Sequence, residues 1–222
     1  MLISYRHRFL FVHIAKTGGT SIRTALRPYR WGWPYTPVLA AASLISQMTR
    51  PKHALGIKFP RHAKAIAAYE MLPRELYEGL FKFAVVRNPW DLQVSSFHHL
   101  RREHPQRTAH LDTFETFIRA KLDPERAYDY LLDISQERQW EYVCDFNGRQ
   151  IVDFVARYER LSEDFAHVCE RIGIEAPALP HRRRAGDRGT YQDYYTPETR
   201  ALVARHYAED IERFGYRFGD GD

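Results

Sequence analysis

The segment Phe9–Leu26, FLFVHIAKTGGTSIRTAL, constrains the fold most strongly, because an apolar run, a glycine loop and a helix-like pattern follow one another directly. The run Phe9–Ile14 is apolar on both faces, which predicts a strand buried in a parallel sheet. From Ile22 onward the apolar residues have the three- and four-residue spacing of an amphipathic helix. The chain is therefore expected to contain a strand–loop–helix unit close to its first residues.

Two glycines and a lysine make this loop a candidate phosphate site. Gly18 and Gly19 let backbone N–H groups approach a ligand closely, and the N-terminus of the following helix adds partial positive charge. Lys16 contributes a full positive charge. Three hydroxyl side chains can donate further hydrogen bonds: Thr17, Thr20 and Ser21. A helix-capping loop with an exposed lysine is the alternative interpretation.

The loop differs from the Walker A loop of ATPases and GTPases. In that motif, G-x-x-x-x-G-K-[ST], the lysine follows the glycines, whereas Lys16 precedes them here. No acidic residue stands out that would hold the Mg²⁺ ion those enzymes require. An ordinary nucleotide hydrolase is therefore disfavoured.

A second apolar run supplies basic and hydroxyl residues that suit another phosphate. The stretch FKFAVVRNPWDLQVSSF predicts a buried strand over Phe81–Val86 and a helix from about Trp90. Arg87 then lies at the carboxyl end of the strand, where ligands gather in open α/β sheets, and Ser95 follows one to two helical turns later. An arginine fork and a hydroxyl suit a phosphate group. Pairing of Arg87 with the nearby Asp91 is an equally supported alternative.

The remaining pattern alternates strands with helices, which predicts an α/β fold with a mainly parallel sheet. Leu111–Leu122 and SEDFAHVCERIGI have helical spacing, and two strands are expected to form a hairpin at Asn147-Gly148. One closing helix is expected after Thr196, its N-cap, with Pro197 in the first helical position. A length of 222 residues suits a single domain, 1–222.

Composition limits the classes of partner and compartment. The formal net charge is +5 at pH 7, and the pI is about 9.2, which favours an anionic ligand without choosing its class. Cys144 and Cys169 lack metal or redox spacing and are expected to be reduced thiols. No apolar stretch approaches the roughly 18 residues of a membrane span, and no signal-peptide pattern is seen. We therefore expect a soluble, cytoplasmic protein.

Together these segments resemble sulfotransferases that use 3′-phosphoadenosine 5′-phosphosulfate (PAPS), in particular the carbohydrate branch and its bacterial relatives, sulfotransferase family 2. AKTGGTS is similar to that family's loop for the 5′-phosphosulfate, usually PKTGGTS. VVRNPWDLQVSSF is similar to its 3′-phosphate segment, where a serine follows an arginine by eight residues. The resemblance covers most of the chain. Ala15 replaces the usual proline, and the basic run Arg182–Gly189 stands where the family often has Asn and Ser.

The resemblance implies a P-loop-like three-layer α/β/α sandwich, and it implies transfer of a sulfuryl group to a hydroxyl, less favourably an amine, of a carbohydrate or glycoconjugate. PAPS is the expected donor and 3′-phosphoadenosine 5′-phosphate (PAP) the product, with no metal. Lys16 would stabilise charge on the departing phosphate. The expected donor-binding residues are Lys16, Thr17, Gly18, Gly19, Thr20, Ser21, Arg87, Ser95 and Arg188.

The resemblance also indicates a catalytic base. The stretch from His62 to Trp90 is similar to a family segment in which a histidine precedes the second phosphate strand by a helix. Imidazole suits proton transfer near neutral pH. His62 is therefore the predicted base, with His53 the second choice and Glu70 the third. A solvated surface histidine is the alternative for both histidines.

Other functions and contacts remain open from the sequence. A non-Walker nucleotide kinase, a basic nucleic-acid-binding protein and a donor-binding protein without catalysis are the rival interpretations, although no nucleic-acid-binding motif appears. Basic side chains after Ser95, including Arg101, Arg102 and Arg107, either line an acceptor cleft or form a solvated helix end. An aromatic loop either stacks on a sugar or packs locally; its members are Trp31, Trp33 and Tyr35.

Overall fold

The computed structural model describes residues 1–33, 36–38, 40–41, 44, 59–179 and 189–220. Several residues singled out from the sequence lie outside these described residues: Tyr35, His53, Arg182–Arg184 and Arg188.

The described residues form an α/β fold around a four-stranded sheet, as the sequence predicts. The strands follow in spatial order β1 (Leu2–Ser4), β2 (Phe9–Val12), β3 (Phe81–Val86) and β4 (Phe154–Arg157). β1 runs antiparallel to β2, with Leu2 opposite Phe11. β2 runs parallel to β3, with Phe9 opposite Phe81. The sheet is mainly parallel, so the carboxyl ends of β2 and β3 lie at one edge, each followed by a predicted phosphate segment.

Helices connect and flank the strands. Those whose whole range is described are α1 (Gly19–Ala25), α2 (Ala65–Met71), α3 (Arg74–Glu78), α4 (Pro89–Glu103), α5 (Phe114–Lys121), α6 (Tyr130–Asp133), α7 (Trp140–Val143), α8 (Leu161–Arg171), α9 (Pro197–His206) and α10 (Ala208–Phe214). Within the described part of the chain, none of these helices is long and apolar enough to cross a membrane.

Internal contacts group the chain into two compact units. The first unit comprises Met1–Ile14, Gly18–Val85 and Tyr142–Pro180. The second comprises Ala15–Thr17, Val86–Glu141 and His181–Asp222. Each unit draws on distant parts of the sequence, and the single domain over 1–222 stays a prediction.

The first unit is built on the apolar strands. Phe11 and Phe83 stack across β2 and β3 with ring centroids 5.1 Å apart. Ile22 of α1 and Phe165 of α8 belong to the same buried cluster. Strands that are apolar on both faces need such a cover on each face. Burial of these side chains therefore fixes where α1 begins, directly after the glycine loop.

The second unit has a helical core. Trp90 and Phe97 of α4, Phe117 of α5 and Val203 of α9 are buried together. The predicted cap is confirmed, since the Thr196 side chain accepts a hydrogen bond from the third helical N–H in a capping box, with Pro197 in the first turn. α4 therefore packs against α5 and α9 through its apolar residues, and it also carries Asp91 and Ser95.

The predicted hairpin at Asn147-Gly148 is wrong. A turn forms there, with Gly148 at a φ of 75°, and the Asp145 carboxylate accepts hydrogen bonds of 2.9 Å from two backbone N–H groups of the turn. The first expected strand is instead helix α7, and pairing reduces to one bridge between Cys144 and Gln150. The Asn-Gly signal therefore identified the turn, and the second expected strand is present as β4, whereas the first is not a strand.

A buried carboxylate explains why α7 is helical. Asp210 is fully buried and accepts hydrogen bonds from the backbone N–H groups of Gln139 (2.9 Å) and Trp140 (2.8 Å), as an N-cap residue would. Burial raises the pKa of Asp210 to about 6.

The closing helix predicted after Thr196 is not continuous. It divides at Tyr207 into α9 and α10. The Tyr207 hydroxyl is buried and donates to the Gln136 carbonyl at 2.9 Å.

His13 is a buried polar residue just beyond β2. Its side chain is 3% exposed, and its Nδ1 atom has no hydrogen-bond partner among the described residues. Burial, together with the nearby His62 ring and the cations Arg23 and Arg61, lowers its pKa to about 2. The folded protein therefore holds this imidazole neutral.

We expect the stability of the protein to fall as pH drops below about 6.5, in part because of His13. The unfolded chain takes up a proton at this imidazole near pH 6.5, whereas the folded chain does not until about pH 2. The unfolded state therefore binds more protons in this window, at up to about 1.4 kcal/mol per pH unit. Urea unfolding at pH 7 and pH 5 should show a smaller loss for His13→Asn than for the parent.

His110 offers a matched control because it is exposed and keeps its contact with water in both states. His110→Asn should lose as much stability between the two pH values as the parent. An unchanged loss in His13→Asn would show that the buried imidazole is not the source.

Candidate active site

The start of α1 is a tight turn of bare backbone in the first unit. Gly18 is its N-cap residue, with a φ of 79° in the left-handed region that favours glycine. The N–H group of Ser21 donates to the Gly18 carbonyl at 3.0 Å. Among the described residues no side chain caps this helix, and its first turn contains no acidic residue. Such a terminus presents positive charge and hydroxyls, since Thr20 and Ser21 are both partly exposed.

Both glycines are also required by packing within the first unit. A Cβ atom on Gly18 would lie 2.9 Å from Leu161 Cδ2, and a Cβ atom on Gly19 would collide with the His13 ring. The sequence pattern alone indicates only close approach of a ligand as the reason for these glycines. The structure adds a second reason, because Tyr158, Leu161 and His13 close around the loop.

Lys16 and Thr17 belong to the second unit, and Lys16 has an unusual backbone. Its φ is 67°, a left-handed conformation that costs a non-glycine residue about 1–3 kcal/mol. The Lys16 carbonyl accepts a hydrogen bond of 3.1 Å from Arg87 Nη1, and Thr17 is fully buried. Strain of this kind persists only where neighbouring groups enforce it, and it is concentrated at functional positions.

Arg87 is the most firmly held of the predicted site residues. Its side chain is 4% exposed, and Nε and Nη2 each lie 2.7 Å from Asp91 Oδ2. The buried amide of Gln139 fixes its backbone, accepting from the Arg87 N–H and donating to the Arg87 carbonyl, each at 2.8 Å. The pairing with Asp91 that the sequence left open is therefore present. A role on a 3′-phosphate stays a prediction.

Ser95 lies on the same face of α4 as Asp91, because residues four apart are neighbours on a helix. It is partly exposed, whereas the adjacent Ser96 is buried. Ser96 lies 3.1 Å from the Nζ atom of Lys121, a completely buried lysine whose pKa is lowered well below its ordinary value, chiefly by burial. Of the two serines, only Ser95 is thus placed to meet a ligand.

His62 precedes α2 in the first unit and contacts the end of β2. Its Nδ1 atom lies 3.0 Å from the backbone carbonyl of His13, and the two rings have centroids 4.6 Å apart. A carbonyl can only accept, so Nδ1 carries the proton in this hydrogen bond and Nε2 carries the lone pair. Burial, with Arg61 and Arg23 among the nearby charges, lowers the pKa of His62 to about 4. The ring is therefore a neutral base at neutral pH.

His13 is the residue that sequence reasoning missed. The available signal was one polar ring in the otherwise apolar run FLFVHI, immediately before the glycine loop. Within the first unit His13 lies against Gly19 and His62. It thereby connects the predicted base to the start of α1.

The other candidates are placed less specifically. Glu70 is exposed on α2. The arginines after Ser95 make local contacts at the helix end: Arg101 with the Asp112 carbonyl, Arg102 with Glu103, and Arg107 with Asp129. These pairs favour the solvated helix end that was one of the two interpretations.

Among the described residues no three His, Cys, Asp or Glu side chains come together as a metal site. A metal-free reaction remains an expectation of the resemblance.

Comparisons with known proteins identify one relative and one protein family. An uncharacterized protein of Archaeoglobus fulgidus is 29% identical over 101 residues, which are 46% of this chain and 74% of the relative. No solved structure matches the chain. The family model described as "Sulfotransferase family" matches residues 1–217, nearly the entire chain. The match includes the glycine loop, His62 and the Arg87 segment, and the chain therefore belongs to the sulfotransferase family.

Proposed function

We propose that this protein transfers a sulfuryl group from PAPS to a hydroxyl group of a carbohydrate or glycoconjugate, an amine being the less favoured acceptor. Family membership supports sulfuryl transfer in general. The donor, the acceptor class and the roles of individual residues are the content of the proposal.

One observation supports the donor most directly. Arg87, the residue proposed for the 3′-phosphate, donates a hydrogen bond to the carbonyl of Lys16, the residue proposed for the 5′-phosphosulfate. Both residues belong to the second unit. A donor that carries phosphate at both the 3′ and 5′ positions needs two basic segments close together, and this contact holds the backbone of Lys16 beside the guanidinium of Arg87.

The loop residues suit the 5′ end of the donor. The N–H groups at the start of α1 and the hydroxyls of Thr20 and Ser21 can hold phosphate oxygens. Bound PAPS supplies an activated sulfuryl group whose transfer leaves negative charge on the departing phosphate. The ammonium group of Lys16 would stabilise that charge as it develops, and such stabilisation is usually the largest single contribution to catalysis.

The second segment suits the 3′-phosphate. Asp91 holds Nε and Nη2 of Arg87 and so orients the guanidinium before a ligand arrives. Orientation in advance reduces the entropy lost on binding. Ser95, on the same face of α4, would add a hydroxyl donor. Arg188 remains a proposed donor-binding residue on the basis of the resemblance alone.

His62 would accept the proton of the acceptor hydroxyl. Its Nδ1 proton is committed to the His13 carbonyl, which leaves the Nε2 lone pair for the substrate. General base catalysis typically contributes about 10²–10⁴-fold in rate. The lowered pKa keeps this lone pair available over most of the pH range.

Isothermal titration of the full chain with PAP, ATP and a short DNA duplex tests the proposal against its rivals. We expect PAP to bind most tightly, because its 3′- and 5′-phosphates match the two basic segments. Tighter binding of ATP would support a nucleotide kinase instead. Tighter binding of the duplex would support a nucleic-acid-binding protein.

Arg87→Ala should weaken PAP far more than adenosine 5′-phosphate, because only PAP has the 3′-phosphate. A charge-assisted hydrogen bond contributes about 1.5–3 kcal/mol, which is about 10- to 150-fold in affinity. Calorimetric titration of both ligands measures the difference. Arg101→Ala, an exposed arginine on the same helix, is the matched control and should bind both ligands like the parent. Equal weakening of the two ligands by Arg87→Ala would contradict the assignment.

Lys16→Asn should lower kcat by about 10²–10³-fold with little change in donor affinity, because the lost charge acts mainly in the transition state. Asparagine tolerates left-handed backbone, so this change removes the charge without adding strain. Lys16→Arg, which keeps the charge, should retain more turnover. The assignment fails if Lys16→Asn weakens PAP binding as much as it lowers kcat.

His62→Ala should bind PAP almost normally and transfer sulfuryl groups at least about a hundredfold more slowly. In the parent, the rate should fall only as pH drops toward about 4, where the base becomes protonated. His53→Ala and the exposed His110→Ala serve as comparisons and should turn over normally. Normal turnover of His62→Ala with loss in His53→Ala would move the base to His53, and normal turnover of both would direct attention to Glu70.

A further inference from the structure

A cleft in the first unit contains none of the residues proposed for the donor. It lies between the β1–β2 turn, which contributes Arg6 and His7, and the segment that follows α1, which contributes Arg27, Tyr29 and Arg30. Its volume is about 610 Å³, within the roughly 300–1,000 Å³ of sites that bind small ligands. We refer to it as the arginine cleft.

The arginine cleft is strongly cationic. Among its described lining residues none is acidic, and within the described part of the chain no carboxylate forms an ion pair with Arg6, Arg27 or Arg30. Burial and the neighbouring cations Arg23 and Arg27 lower the pKa of Arg30. Like charges held this close repel one another, and an anion placed among them relieves the repulsion.

Aromatic side chains are interleaved with the arginines. Trp33 lines the cleft and is 79% exposed, which is uncommon for so large an apolar surface. The ring of Tyr29 meets His7 edge-on at 5.2 Å between centroids, and the Arg30 guanidinium lies 3.6 Å from the centroid of Trp31. A flat apolar face beside cationic groups suits a ligand that is itself part apolar and part anionic.

The backbone that presents these side chains is fixed and strained. Trp31 has a φ of 64°, an outlier for a bulky residue. Its N–H group donates to the Ile3 carbonyl at 2.9 Å, and its carbonyl accepts from the Tyr5 N–H group at 2.8 Å. At Gly32, with a φ of 93°, a Cβ atom would collide with Arg6. The segment is therefore held on β1 in one conformation, which is expected of a binding surface rather than a passive connection.

We propose that the arginine cleft binds a short acidic oligosaccharide, with Arg6, Arg27 and Arg30 pairing with its carboxylate or sulfate groups and Trp33 stacking on the apolar face of a sugar ring. Arginine forks match planar and tetrahedral oxyanions. The limited volume suits a few sugar residues, whereas a nucleic-acid duplex is held along an extended basic surface. The cleft adjoins the start of β2, whereas the glycine loop follows the end of that strand. Its proposal as a binding site therefore does not depend on the proposed function, and only a role in holding an extended acceptor rests on that function.

Binding of a heparin-derived tetrasaccharide, measured by titration calorimetry without PAPS, tests the cleft separately from catalysis. We expect Arg27→Ala and Arg30→Ala each to weaken binding about tenfold or more, and Trp33→Ala to weaken it measurably. Arg74→Ala, an exposed arginine in the same unit that pairs with Glu78, should bind like the parent. The uncharged cellotetraose should bind much more weakly.

Outcomes of this experiment separate the two proposals. Equal weakening in Arg74→Ala and Arg27→Ala, or tight binding of cellotetraose, would overturn the cleft. A DNA oligonucleotide of equal charge that binds as tightly and loses affinity in the same variants would overturn it as a saccharide site. If the tetrasaccharide binds through the cleft but the protein bound to PAPS transfers nothing to any glycan, the cleft stands and the proposed function fails. Transfer to an acceptor whose KM is unchanged in Arg27→Ala and Arg30→Ala would remove the cleft from acceptor recognition and leave the function intact.

Discussion

The contacts around Lys16 in the candidate site depend on one buried positive charge, the guanidinium of Arg87. A buried cation without partners is too costly to persist, so its neighbours must be fixed around it. Asp91 supplies the opposite charge, the Lys16 carbonyl accepts from Nη1, and Gln139 holds the backbone at the end of β3. The same interaction supports the strained conformation of Lys16, so the lysine proposed for catalysis depends on the arginine proposed for binding.

The elements that the sequence predicts are those whose signals are local. The runs Phe9–Ile14 and Phe81–Val86 are apolar at all positions but His13 and Lys82, and both became buried strands of a mainly parallel sheet, although the first ends at Val12. Thr196 and Pro197 form a helix start that needs no tertiary partner, and it is confirmed. The position of Arg87 at the end of β3 follows from the strand alone.

What the sequence could not predict depends on groups far apart in the chain. Helix α7 is capped by Asp210, which lies 71 residues after Gln139 in the sequence. No local pattern reveals this cap, so the Trp140 region was predicted to be a strand. His13 became significant only once folding placed it against Gly19 and His62. The roles of individual site residues stay predictions, because the contacts explain how each side chain is held and not what it binds.

Strained backbone occurs on both sides of α1, at Lys16 before the helix and at Trp31 after it. Neither residue is glycine, and each is held by hydrogen bonds to its carbonyl, from Arg87 and from Tyr5 respectively. A chain selected only for stability would replace such residues with glycine or asparagine. Their presence is consistent with two functional surfaces, one for the donor and one for an acidic ligand.

Transfer of a radiolabelled sulfuryl group from PAPS to a panel of glycans tests the central claim most directly. The panel should include acidic and neutral polysaccharides, a glycolipid and a small glycoside, with PAP release measured in the same reactions. We expect label in at least one glycan, with PAP formed in equal amount and transfer slowed about 10²–10³-fold in the Lys16→Asn variant. Label that appears only as free inorganic sulfate, or transfer that persists unchanged in Lys16→Asn, would contradict it.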